Sequence, residues 1–135
     1  MSGAVDEVLL ATDADWIFDE VAAAIAGGET RVSRVHAGAD VRAAVGELAP
    51  ALVILDLQIG NMGGMATAID LRHEAGAERL PATAILLLLD READTWLAHE
   101  AQADGWLIKP LDAFRLRRAA SALMAGDTWH EGATA

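Results

Sequence analysis

Cysteine is absent from this sequence of 135 residues, which excludes disulfide bonds and thiolate metal sites. Long apolar runs are absent as well. The longest strongly apolar stretch, Ala84 to Leu89, is far shorter than the roughly 20 residues that a membrane-spanning helix needs. These absences fit a protein of a reducing cytosol that does not span a membrane.

Basic residues are also scarce, since 10 Lys and Arg face 21 Asp and Glu, for a formal net charge of −11. Such a surface repels nucleic acids and anionic membranes. The first residues, Met1 to Glu7, are small and acidic and lack the basic flank of a signal peptide. We therefore expect a soluble cytoplasmic protein that binds neither nucleic acid nor membranes directly.

What the chain does contain is apolar residues, at 53%, in short runs that alternate with helical patterns. This composition excludes disorder as the general state, and the length indicates one domain. The alternation predicts an α/β fold, a doubly wound five-stranded parallel sheet with helices on both faces. We expect the domain to cover residues 1–126 and a C-terminal tail to cover 127–135. The strand-like runs are Val8 to Ala11, Arg31 to Val35, Leu52 to Leu55, Ala84 to Leu88 or Leu89, and Gly105 to Ile108. The fourth predicted helix spans Arg91 to Gln102.

Charged side chains follow three of these strands at the point where each strand ends. Asp13 follows the first strand, Asp56 the third and Lys109 the fifth. In open α/β sheets, sites form at the carboxyl ends of the strands. Two carboxylates and an ammonium there can hold a divalent cation and balance the charge of a phosphoryl group. A carboxylate can also accept a phosphoryl group as an aspartyl phosphate.

Over about residues 7 to 125 the sequence resembles the receiver domain of bacterial two-component response regulators, a flavodoxin-like fold. Asp56 matches the phosphoacceptor aspartate of that family, and Asp13 matches the second member of its acidic pair. Lys109-Pro110 matches the family's lysine-proline pair, whose peptide bond is usually cis. Gly60 to Met65 resembles the glycine-rich segment that follows the acceptor aspartate in the family. Gly105-Trp106 resembles the pair of a small and an aromatic residue that precedes the lysine.

The resemblance implies functions for these residues. Asp56 would accept the phosphoryl group, and Lys109 would pair with the phosphoryl oxygens. Asp13, Asp56 and the backbone carbonyl of Gln58 would bind Mg²⁺. The phosphoryl donor would be a histidine kinase or a phosphotransfer protein. The chain would not be an enzyme on other substrates, although it would catalyse its own phosphoryl transfer and dephosphorylation.

Two residues depart from the pattern of the family. Thr12 stands where the first acid of the pair would be, and a hydroxyl adds no charge, so Mg²⁺ affinity should fall. Leu89 stands where a Ser or Thr would bond the phosphoryl group and draw the loop inward. Trp106 takes the position of the switch aromatic, and either a moving switch or a static indole covering the surface is compatible with the sequence.

The leading interpretation is a stand-alone receiver in a phosphorelay, which signals through contacts with an output protein of unknown identity. The alternative is a pseudo-receiver that acts through its surface without phosphorylation. A Mg²⁺-dependent enzyme using the same crevice is a weaker third possibility. A homodimer can form through the last helix, which carries Arg115, Arg117 and Arg118, and Trp129 of the tail can dock on the domain or on another chain.

Overall fold

The computed structural model describes residues 5–132, so the first and last residues of the predicted domain and tail, 1–4 and 133–135, lie outside the described range. Strands and helices alternate along this part of the chain. The strands are β1 Asp6–Ala11, β2 Thr30–Val35, β3 Leu52–Asp56, β4 Ala84–Leu89, β5 Gly105–Ile108 and β6 Trp129–His130. The helices are α1 Asp15–Ile25, α2 Val41–Leu48, α3 Gly64–Gly76, α4 Thr95–Glu100 and α5 Ala113–Met124.

The strands form one parallel sheet in the order β2-β1-β3-β4-β5-β6. This order confirms the predicted doubly wound fold. The prediction of five strands was incomplete, because the described residues form six. The additional strand lies in the predicted tail, where Trp129 pairs with Gly105 and His130 pairs with Trp106. Two residues are too few to show a strand period, so the sequence pattern could not reveal it.

The apolar core lies in two layers, one on each face of the sheet. Alternate residues of a strand point to opposite faces. In β1, Val8 and Leu10 belong to the layer that contains α1 and α5, whereas Leu9 and Ala11 belong to the layer that contains α2, α3 and α4. β3 and β4 divide in the same way. This arrangement explains why these strands read as continuous apolar runs.

β2 is the edge strand at the end of the sheet opposite β6, and it carries charged, polar and apolar side chains. Arg31 binds Glu7 at 3.1 Å, and Arg34 binds Asp15 at 2.9 Å. The six residues of β2 are exposed or partly buried. The polar and apolar alternation seen in the sequence thus corresponds to an edge strand with charged side chains.

The fourth helix is much shorter than predicted. Residues Glu92–Asp94 form a 3₁₀ turn, and α4 itself covers only Thr95–Glu100. The Asp94 carboxylate accepts the backbone N–H of Arg91 at 3.2 Å, which stabilises the turn in place of a first helical turn. Within residues 5–132, no helix has the length and apolar character required to cross a bilayer.

Candidate functional site

Asp56 lies at the centre of a polar crevice at the carboxyl ends of the strands, with only 2% of its surface exposed. Lys109 Nζ donates to Asp56 Oδ1 at 2.7 Å. Thr12 Oγ1 donates to Asp56 Oδ2 at 2.8 Å. The register of β1 on β3 brings Thr12 and Asp56 together, because Ala11 pairs with Leu55 and these two residues directly follow that pair. Both oxygens of the carboxylate therefore have a donor.

Thr12 also connects the crevice to the first helix. Its hydroxyl oxygen accepts the backbone N–H of Ala14 at 3.1 Å, just before α1 begins. Its backbone carbonyl accepts Arg34 Nε at 3.0 Å. The Thr12 side chain is completely buried. The hydroxyl is thus fixed in place by its neighbours and satisfies Asp56 without adding a charge.

Asp13 lies beside the loop that follows β3. It is exposed, and its Oδ2 accepts the backbone N–H of Gly60 at a long 3.4 Å. A long, single contact leaves most of the acceptor capacity of this carboxylate available to a ligand. Asp13 and Asp56 thus border the same loop from its two sides, β1 and β3.

Gln58 contributes both its backbone and its side chain to the crevice. Its backbone N–H donates to Asp56 Oδ1 at 3.1 Å. Its Nε2 donates to Asp90 Oδ2 at 2.7 Å. Gln58 therefore joins the loop after β3 to the loop after β4.

Asp90 is a residue of the crevice for which no role was predicted from the sequence. Its Oδ1 accepts Lys109 Nζ at 2.9 Å, so one ammonium bridges Asp56 and Asp90. Burial alone would raise the pKa of Asp90, but hydrogen bonds from Lys109 and Gln58 outweigh it and hold the pKa below its usual value. Burial alone would lower the pKa of Lys109, and the two carboxylates raise it instead. The signal was available, because Asp90 is the polar residue that directly follows the fourth apolar run.

The two predicted switch positions lie together in the apolar layer next to α4. Leu89 is fully buried, and Trp106 is 1% exposed. The indole therefore does not cover the surface, although whether it moves stays a prediction. Its N–H donates to the backbone carbonyl of Glu131 at 2.8 Å, and its ring stacks on His130 with centroids 4.0 Å apart. These contacts of Trp106 with Glu131 and His130 of the predicted tail were not foreseen.

The backbone next to the crevice has two features of note. The Lys109-Pro110 peptide bond is cis, as the resemblance implied. The first residue of α3, Gly64, lies so close to β3 that a Cβ there would be 2.6 Å from the carbonyl oxygen of Asp56. Glycine at position 64 thus allows α3 to begin directly against the strand that carries Asp56.

Among residues 5–132, no three His, Cys, Asp or Glu side chains are grouped as a metal cluster. On the side of the crevice formed by β1 and β3 the acids are Asp13 and Asp56, and Thr12 stands in place of a third. A cation there would depend on two carboxylates and a carbonyl oxygen. This set still consists of hard oxygen donors, which suit Mg²⁺.

No protein-family model matches the sequence, and no curated protein sequence matches it. Solved structures do. The chemotaxis response regulator CheY4 of Vibrio cholerae superposes with a TM-score of 0.78 at 20% identity, covering 89% of this chain and 99% of that one. A response regulator described as putative, from Chloroflexus aurantiacus, gives 0.80 at 20% identity, with 90% and 98% covered. The signal receiver domain of NarL from Mycobacterium tuberculosis, described as a putative response regulator, superposes with a TM-score of 0.78 at 23% identity. The match covers 91% of this chain and 98% of that one.

These likenesses define the class of fold. The chain has the fold of response-regulator receiver domains, with Asp56, Lys109 and Asp13 at the carboxyl edge of its sheet. At such identities the comparison establishes the fold alone.

Proposed function

We propose that this chain is a receiver that accepts a phosphoryl group on Asp56 from a histidine kinase or a phosphotransfer protein. The observation that carries the proposal is the contact of 2.7 Å between Lys109 Nζ and Asp56 Oδ1 at the end of a buried strand. A carboxylate is a competent phosphoryl acceptor, and a fixed ammonium next to it can pair with the transferred oxygens.

In the transfer, a carboxylate oxygen of Asp56 would form the new O–P bond while the N–P bond of the phosphohistidine donor breaks. Oδ1 is held by Lys109 and by the N–H of Gln58, and Oδ2 is held by Thr12. Lys109 would have to shift its donors from the carboxylate towards the phosphoryl oxygens. The chain would in this way promote its own phosphorylation and its own dephosphorylation, without acting on another substrate.

The residues fit a Mg²⁺ ion, which we propose as the cofactor. Asp13, Asp56 and the backbone carbonyl of Gln58 would hold it, and Asp13 retains acceptor capacity for a ligand. When bound, the ion would supply positive charge to the phosphoryl oxygens. Thr12 adds no negative charge to this set, so we expect weaker binding than a third carboxylate would give.

The test is binding of the phosphoryl analogue beryllofluoride in the presence of Mg²⁺, observed by fluorine NMR. We expect a bound fluorine signal for the native chain and none for Asp56→Asn, which keeps the shape of the side chain but lacks a carboxylate. Asp19→Asn is the matched control, because Asp19 is an exposed acid of α1. A native chain that gives no bound signal at millimolar Mg²⁺, or a signal that persists in Asp56→Asn, would contradict the proposal.

A second candidate function is a pseudo-receiver that acts without phosphorylation. Leu89 has an apolar side chain and cannot donate a hydrogen bond to a phosphoryl group. The Lys109 ammonium already donates a hydrogen bond to Asp90. In either case the output would be contact with another protein, or a homodimer through α5, where Arg117 and Arg118 are exposed. The two candidates differ in the effect of Asp56→Asn, which would leave partner binding unchanged only in a pseudo-receiver. A cytoplasmic location agrees with both and stays a prediction.

A further inference from the structure

The edge of β5 is covered by a short segment of the same chain, residues 127–132, which we call the C-terminal segment. Without it, β5 would be an edge strand with free backbone donors and acceptors, which attract added strands. β6 pairs with only Gly105 and Trp106, in parallel. The remainder of the edge is occupied by side chains rather than by a longer strand.

Glu131 makes most of the polar contacts of the C-terminal segment. Its carboxylate accepts the backbone N–H of Ile108 at 3.0 Å, taking the place of a strand carbonyl. The same carboxylate accepts Nε of Arg115 on α5 at 2.8 Å and also contacts Nη2 of that guanidinium. Its backbone carbonyl accepts the indole N–H of Trp106. One residue thus satisfies a strand, a helix and a buried aromatic side chain.

The surface beneath the C-terminal segment is shaped to receive an extended chain. Gly105 is essential to this shape, because a Cβ there would lie 2.8 Å from the backbone oxygen of Trp129. Next along the chain, His130 stacks flat on Trp106, with ring planes 6° apart. Gly132 follows with φ of 88° and lies against Ile108 and the turn before α4. The edge therefore recognises backbone shape, one flat ring and one carboxylate.

We propose that the β5 edge, together with Arg115 and the indole N–H of Trp106, is a binding site for an extended segment that carries a carboxylate, and that the C-terminal segment occupies this site in an exchangeable way. The partner is another protein that presents an acidic extended segment parallel to β5. The guanidinium of Arg115 provides the charge complementarity, and β-strand addition to a sheet edge provides the backbone bonds.

The C-terminal segment is joined covalently to the domain, and this link sets the concentration at which a competing segment can displace it. A segment joined by a short linker acts at an effective concentration in about the millimolar range. A free segment of the same sequence therefore competes poorly with the native one. The change Glu131→Ala lowers the fraction of molecules in which the C-terminal segment occupies the site, but it leaves Ile108, Trp106 and Arg115 in place. This separation makes the site accessible to a direct test that does not depend on phosphorylation of Asp56.

The experiment is a titration of the full-length chain with a labelled peptide of the sequence of residues 127–132, capped at both ends. Binding is followed by fluorescence anisotropy and by the indole N–H signal of Trp106 in a proton–nitrogen correlation spectrum, assigned through Trp106→Phe. We expect Glu131→Ala to bind the peptide at least about tenfold more tightly than the native chain. The bound peptide should return the indole signal towards its native position. Glu47→Ala, a change at an exposed acid of α2, should bind like the native chain.

Two additional comparisons test the recognition of the carboxylate. A peptide with Gln in place of its Glu should bind Glu131→Ala about tenfold more weakly than the unmodified peptide does, because a charge-assisted hydrogen bond is lost. For the same reason, the double variant Glu131→Ala with Arg115→Ala should bind the unmodified peptide about tenfold more weakly than Glu131→Ala does. Equal binding by the native chain and Glu131→Ala, or binding that does not depend on Arg115, would overturn the proposal. If Glu131→Ala does not fold, Glu131→Gln retains the shape and one acceptor and takes its place in the same titration.

Discussion

Asp90 shares the Lys109 ammonium with Asp56, so its negative charge would oppose a phosphoryl group on Asp56. Both carboxylates bind the same Lys109 nitrogen, at 2.7 and 2.9 Å, so their bonded oxygens can be no farther apart than these two distances together. The change Asp90→Asn keeps the size of the side chain and an oxygen for Lys109 but removes the charge. We therefore expect Asp90→Asn to bind beryllofluoride more tightly than the native chain does.

The magnitude follows from the separation of the charges. Two unit charges about 5 Å apart interact by about 3 kcal/mol at an effective dielectric constant of about 20. The Asp90 side chain is 31% exposed, so water weakens the interaction. A reduced value of about 1 kcal/mol corresponds to roughly fivefold tighter binding. The release of Lys109 from one of its two carboxylates acts in the same direction.

The assay is a titration of beryllofluoride at saturating Mg²⁺, with the bound fraction measured by fluorine NMR. The matched control is again Asp19→Asn, which removes an exposed carboxylate of α1 far from Lys109 in the sequence and should leave the affinity unchanged. Equal affinity of Asp90→Asn and the native chain would show that Asp90 does not compete for Lys109. Weaker affinity would show that the Asp90 charge holds Lys109 in a productive position, which is the opposite of the reasoning above.

Four further predictions concern metal affinity and stability. Thr12→Asp should raise Mg²⁺ affinity about tenfold by calorimetry, because it adds a carboxylate next to Asp56, and an unchanged affinity would count against the proposed ligands. Leu86→Ala removes a fully buried side chain and should lower the free energy of unfolding in urea by about 2–5 kcal/mol, and a loss below about 1 kcal/mol would contradict its place in the core. Gly64→Ala should cost about 1–3 kcal/mol in the same assay, because its Cβ would meet the Asp56 carbonyl, and a neutral result would refute that close approach. Burial alone would raise the pKa of Glu131, but hydrogen bonds from Arg115 outweigh burial and hold this pKa below its usual value. The contribution of Glu131 to stability is then complete above the usual pKa of a glutamate and is lost as the pH falls through the lower native pKa. Thermal unfolding should therefore show a steeper loss of stability with falling pH in the native chain than in Glu131→Gln, and parallel curves would contradict this.

The sequence was sufficient to predict five of the six strands that the described residues form, and the meeting of two site residues, for a physical reason. Strands buried on both faces must be apolar throughout, so β3 and β4 were visible as runs. The ends of parallel strands meet at one edge, so Asp56 and Lys109 could be expected to lie together. These inferences need only local pattern and the handedness of the fold.

The remaining features depend on contacts that no local pattern contains. β6 is two residues long, and its position is set by Glu131 reaching Arg115 and Ile108. The resemblance drew attention to Leu89, whereas the next residue, Asp90, makes the contact with Lys109. The fourth helix was predicted too long because its first residues, Glu92–Asp94, form a 3₁₀ turn instead.

The charged side chains of the edge strand β2 affect how the protein behaves at high concentration. At the end of the sheet opposite β6, β2 is the last strand, so continuation of the sheet past this end would have to pair with β2. A docking strand there would have to strip water from Arg31 and disturb its bridge to Glu7. Such guarding discourages growth of the sheet into a fibril at this end.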